Sequence, residues 1–227
     1  MGGDAVKGAL TVMCIFGMAF CVLAQSPAPT DAATATEEKT PPSVVYYDQR
    51  DGGAIGWDDF EGQVPADEKV VEEAEIAWGI HFSDWANVKT QNEAGCTVKP
   101  KAGTLKIRAY MVPKESWVKP GSKTPQLLRH EQGHFNIAHV YAQLLQRAVD
   151  ESVRKAKLVG QGTNCAAAGK DLQRKVEELV TKYMDKCEEV QKLYDKETEH
   201  GTDANKQRIW DRKIKRWLED FDAAPRP

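Results

Sequence analysis

His130-Glu131-Gln132-Gly133-His134 is the run in this chain with the residue types and spacing to do chemistry. On a helix, histidines at i and i+4 stand one above the other, so two imidazole nitrogens can converge on a single zinc ion. Glu131 sits on the same side, one residue along, where its carboxylate can take the proton of a water activated by that ion. Gly133 is a second signal. Glycine inside a helix costs about 1 kcal/mol relative to alanine and is kept where another backbone, of a substrate or of a sheet edge, must come close. A catalytic zinc site takes three protein ligands and leaves one position open. His139 does not offer the third, because on a continuing helix it faces about 140° away from His134. His81, inside the run EIAWGIHF, reads as a sheet residue. The third ligand must therefore come from far along the chain.

The elements that position these residues are legible from pattern. Thr124 followed by Pro125 is a helix start, a hydroxyl N-cap with proline at the first helical position. An apolar line then runs Leu127, Ala138, Tyr141, Leu145, Ala148, with Glu131 and His134 set into it, and Gly160-Gln161-Gly162 breaks the helix near Leu158. A second helix reads Leu172, Val176, Leu179, Tyr183, Cys187, Val190, Tyr194, and a third, after Gly201, carries Trp210, Ile214, Trp217 and Phe221 on one stripe. If the second helix starts near Ala166 and returns beside the first, positions 190 and 194 lie opposite His134 and His130, and the block from Tyr194 to Gly201 arrives at the metal end. Two residues of that block compete as third ligand. Glu197 continues the inward stripe. His200 lies off it, but helical side chains lean toward the N-terminus and Gly201 marks a helix end turning there. Ahead of the helices, from Ser43 to about Val118, short β-branched and aromatic runs (VVYYD, EIAWGIHF, TLKIRAYMV) are broken by turn residues and predict an antiparallel sheet. Sheet first and helices after is an α+β arrangement.

Composition bounds the rest. The 227 residues are 41% hydrophobic and 29% charged, with a net charge of −3, enough for one core and without the basic field that concentrates on phosphate backbones. Nucleic acid is not an expected partner. The most apolar stretch, Ala9 to Ala24, is too short for a comfortable membrane span, for which about twenty residues are needed. It ends in Val22-Leu23-Ala24 and reads as a signal peptide over 1–24, cleaved after Ala24, so that no membrane span stays with the mature chain. Residues 25–42, rich in Pro, Ala and Thr, read as a flexible linker, and 43–222 as one domain. Export leaves Cys96, Cys165 and Cys187 in an oxidising compartment. Cys165 and Cys187 on one helix would stand about 33 Å apart, so any bridge involves Cys96; three buried thiols is the other reading.

Four ordered blocks carry a resemblance: Trp57-Asp58-Asp59-Phe60-Glu61-Gly62, Glu115-Ser116-Trp117-Val118, Leu128 to Phe135 around the histidines, and Tyr194-Asp195-Lys196-Glu197-Thr198-Glu199-His200-Gly201 with Gln207 and Trp210 beyond. With these the chain resembles the bacterial predicted secreted zinc-dependent proteases, over roughly 43 to 220. The resemblance implies a zincin-like, zinc-peptidase-like domain, with Zn2+ as cofactor and a secreted or periplasmic location. One departure is Asn136, where the family pattern has aspartate. Because the histidine–glycine pair recurs beside the aspartate in that pattern, the expected metal ligands are His130, His134 and His200, with Asp195 as a partner of a ligand and Glu131 as the catalytic base. The reaction expected is hydrolysis of a peptide bond in a peptide or protein substrate, and the strand Leu105 to Val112 is the candidate edge for pairing with it. The rival reading is a non-catalytic zinc-binding or protein-interaction domain of the cell envelope on the same scaffold. An intact Glu131 argues for the enzyme, since a closed structural site needs ligands but no base.

Overall fold

A computed structural model describes residues 43–66, 71–83 and 86–227, together with the backbone of two strands nearer the start. In chain order the strands are β1 (Leu10–Cys14), β2 (Val22–Gln25), β3 (Val45–Tyr46), β4 (Ala74–Glu75), β5 (Trp78–Phe82), β6 (Asn87–Asn92), β7 (Gly95–Pro100), β8 (Ile107–Met111), β9 (Trp117–Val118) and β10 (Gly160–Gly162). The helices are α1 (Pro125–Arg154), α2 (Cys165–Thr198) and α3 (Ala204–Glu219). This is the expected α+β order, an antiparallel sheet region followed by three helices. The strands divide among three sheets, ordered β2-β1-β5-β8-β3, β10-β7-β6 and β4-β9.

Local chemistry sets the helix ends. Thr124 Oγ1 accepts the Leu127 N–H at 3.1 Å, with Pro125 in the first turn. Asn164 and Asp203 cap α2 and α3 in the same way. α1 lies between the sheet, through β5 and β8, and the pair α2 and α3. Its middle is therefore buried on most sides, with Phe135, Ile137, Ala138, Tyr141 and Leu145 inaccessible to solvent. A helix covered from two directions needs a wider apolar surface than the single stripe read from the sequence.

Two expectations change. Gly160-Gln161-Gly162 is not only a helix break: it forms β10, which pairs antiparallel with β7 and is held there by a Cys96–Cys165 disulfide. That bridge agrees with the requirement that Cys96 take part, and it leaves Cys187 free and buried. The strand within Leu105 to Val112 is not an edge strand: β8 is flanked by β5 along its length and by β3 at Tyr110 and Met111. Within the expected leader, β1 pairs with β5 and with β2. The other residues of 1–24, and the linker read over 25–42 except Gln25, lie outside the described residues. Among the described residues no helix is long and apolar enough to cross a membrane.

Candidate metal centre

α1 brings His130, Glu131 and His134 to the face covered by α2, α3 and the segment joining β4 to β5, and all three are buried. Two glutamines decide which imidazole nitrogens face the centre. Gln191 of α2 donates through Nε2 to the His134 carbonyl at 3.0 Å, so the atom 2.7 Å from His134 Nδ1 is its Oε1. Gln207 of α3 donates through Nε2 to the Tyr194 hydroxyl and to Asp211, which turns its Oε1 to His130 Nδ1 at 3.2 Å. An amide oxygen only accepts, so each Nδ1 carries a proton and both Nε2 atoms turn to the centre.

Those two Nε2 atoms are 3.1 Å apart. Asp195 of α2 completes a triangle, its Oδ1 lying 3.1 Å from His130 Nε2 and 2.9 Å from His134 Nε2. Ligand atoms about 2.0–2.1 Å from a tetrahedral zinc stand about 3.3 Å from one another, close to the edges of this triangle. Two nitrogen lone pairs and a carboxylate facing each other out of water repel unless a cation lies between them. His130, His134 and Asp195 could hold a metal ion. Without one, a proton takes that part. Burial opposes a charge on His134, but Asp195 and Glu131 outweigh it and push its pKa up to about 9. Burial favours the neutral form of Asp195, yet the two imidazoles hold its carboxyl well below the usual range.

Glu131 is tethered from the sheet side, its Oε2 accepting the Ile76 N–H at 3.0 Å, and burial pushes its pKa up to about 7. Ala77 turns the other way: its N–H goes to Ser116 Oγ and its carbonyl accepts from Val112. The segment between β4 and β5 thus turns the Ile76 N–H to Glu131. A second carboxylate, Glu75, stands beside it, taking a hydrogen bond from the Trp117 indole at 3.1 Å. Burial pushes Glu75 up to about 7 as well, and it senses the charges of His134 and Asp195.

Gly133 has a neighbour of another kind than expected. An added Cβ would lie 2.2 Å from the hydroxyl oxygen of Tyr194, so the close approach is by an aromatic side chain and not by a backbone. Tyr194 is wholly buried, stacks on His130 with ring centroids 4.6 Å apart, donates to the His130 carbonyl and accepts from Gln207. Its hydroxyl is spent on holding the centre together.

The structure gives the third place in the triangle to Asp195 and leaves both competing residues outside it. Glu197 accepts from the Trp210 indole at 2.8 Å and faces α3. His200 stands one step out, its Nδ1 3.8 Å from Asp195 Oδ1. α2 stays regular to Thr198, so Asp195, four residues after Gln191, shares the face that meets α1. Gln191, Asp195 and Thr198 form a polar line at helical spacing within an apolar stripe. It is the same signal that marks Glu131 and His134 on α1. His139 stacks on Tyr47 at 3.8 Å, where burial lowers its pKa to about 4, and His81 takes the Tyr46 hydroxyl. Asn136 accepts from Tyr47 and Gln132 and lies away from the triangle's hydrogen bonds.

Compared with known families, residues 58–201 match one described as Bacterial protein of unknown function (DUF922). No curated protein and no solved structure matches the chain.

Proposed function

The chain belongs to that bacterial family, DUF922, and we propose that it is an exported, zinc-dependent hydrolase of peptide bonds with a zincin-like arrangement. One observation carries the reading: a buried triangle of two Nε2 atoms and a carboxylate oxygen, with the carboxylate of the intervening Glu131 beside it on the same helix. His130, His134 and Asp195 would hold the ion. When bound, zinc supplies the positive charge that acidifies a water and polarises a carbonyl. Glu131, buried beside the triangle, would take the proton of the attacking water and return it to the leaving amine. Gln191 and Gln207 keep the two Nε2 atoms aimed. The Cys96–Cys165 bridge is of the kind that persists in oxidising compartments, which supports a secreted or periplasmic location.

Glu131→Gln in the purified exported protein is the test. Wild type is expected to retain close to one zinc per chain after dialysis and to cleave a peptide library in a chelator-sensitive way. The variant is expected to keep the zinc and lose the cleavage. A wild type that binds zinc and cleaves nothing would leave the rival, a non-catalytic zinc-binding domain of the envelope.

A further inference from the structure

Asp195 Oδ1 is shared by three imidazoles. His130 and His134 approach it at 3.1 and 2.9 Å from the interior, and His200 at 3.8 Å from the other side. Their side chains are 3%, 9% and 49% exposed respectively, so of the three imidazoles around Asp195 it is His200 that stands on the solvent side. Its position is held by the turn that carries it. Glu199, His200 and Gly201 all have left-handed φ, of 50°, 52° and 80°. The turn is pinned by the His200 N–H on the Asp195 carbonyl, by the Asp203 N–H on the Thr198 carbonyl and by Gln126 Nε2 on the Gly201 carbonyl. Gly201 packs so closely on His130 that an added Cβ would meet its side chain at 2.8 Å. The turn is thus seated on one metal-facing imidazole while it aims another at solvent.

The chemistry around the triangle is short of one component. Glu131, Glu75 and Asp195 are acceptors, and the buried histidines spend their Nδ1–H on glutamine oxygens. A carbonyl that gathers negative charge as water adds to it needs a donor aimed at its oxygen. His200 has a ring N–H at the right edge of the site and spends it on no hydrogen bond among the described residues. We propose that His200 is a substrate-binding catalytic residue that donates a hydrogen bond from its ring to the reacting carbonyl oxygen, with Asp195 completing the metal triangle in its place. The role rests on the hydrolase reading, while the contact itself is with an oxyanion held next to the metal.

The test uses full mature protein loaded with zinc, with His200→Ala, His200→Gln and Asp195→Ala, each checked for folding by thermal melting. His200→Ala is expected to retain zinc within about twofold of wild type, whereas Asp195→Ala loses it at least tenfold more readily. Binding of inorganic phosphate, a tetrahedral oxyanion, is followed by calorimetry; it should weaken at least tenfold in His200→Ala and recover in part in His200→Gln, whose amide can still donate. Turnover of a cleaved peptide should fall about a hundredfold in kcat with KM changed only a few-fold. Zinc loss from His200→Ala equal to that of Asp195→Ala would make His200 a ligand and overturn the proposal. It also fails if the zinc-loaded wild type binds no phosphate, or if His200→Ala leaves phosphate affinity and turnover unchanged. A protein that binds zinc and phosphate with the expected His200 dependence but cleaves nothing defeats the hydrolase reading and leaves the oxyanion contact standing.

Discussion

Gly133→Ala sets two opposed effects against each other at one methyl group. Alanine favours the helix by about 1 kcal/mol, and in an open stretch of α1 it would stabilise. Here the new Cβ would lie 2.2 Å from the Tyr194 hydroxyl oxygen, 2.7 Å from Cζ and 3.0 Å from Cε1. Tyr194 must move by more than about 1 Å to reach ordinary contact. It has nowhere open to go, with His130 stacked at 4.6 Å, His134 at 4.9 Å and Trp210 at 5.2 Å. Overpacking of this kind costs about 1–3 kcal/mol. Moving the ring also weakens the hydroxyl's two hydrogen bonds, to the His130 carbonyl and from Gln207, each about 1 kcal/mol. Set against the helix gain, the net loss is about 2–4 kcal/mol. For a domain of this size that lowers Tm by roughly 5–15 °C, read by circular dichroism in chelator so that metal binding does not enter. In the Gly133→Ala background, Tyr194→Phe should cost at least about 1 kcal/mol less than it does alone, because the clashing oxygen is gone. A Gly133→Ala protein as stable as wild type, or additive with Tyr194→Phe, would refute the packing argument.

Three further outcomes are expected. Gln191→Met replaces the amide that fixes the His134 tautomer with an apolar chain of similar length, and zinc affinity measured against a chromophoric chelator should fall about 10–100-fold while the fold is retained; unchanged affinity would mean that Gln191 does not orient the ligand. His139 has a folded pKa of about 4 against about 6.5 unfolded, so the unfolded chain binds more protons between those values and stability declines as pH falls through that window, by up to about 3 kcal/mol. In His139→Phe this part of the slope should vanish in urea titrations at pH 7, 5.5 and 4.5, and an identical slope would count against a buried neutral imidazole. Replacing Cys96 and Cys165 by serine opens a link between residues 69 apart. The chain-entropy estimate for such a loop is about 4 kcal/mol, checked by denaturant unfolding, with a loss under about 1 kcal/mol contradicting it.

The readings that held from sequence rest on rules acting within a few residues. An i, i+4 pair of histidines shares a helix face wherever that helix sits, so His130 and His134 had to converge. Thr124, Asn164 and Asp203 cap because a short polar side chain meets the first unpaired N–H groups of any helix. The return of α2 alongside α1 followed from helix lengths at a constant rise per residue, and it brought residues 191–195 opposite His134 and His130 within one position. What was out of reach depends on rotation and separation between elements. Asp195, Glu197 and His200 all arrive at the metal end. Which of them joins the two histidines is set by how α2 is turned about its own axis and where it stops, and packing against α1 and α3 decides both. The neighbour of Gly133 is a ring reaching across from α2, which spacing within α1 does not encode. The acceptors that orient the imidazoles come from two other helices, 57 and 77 residues away. Local periodicity specifies which face of a helix is buried; only the assembled core specifies which side chain on the opposing face meets it.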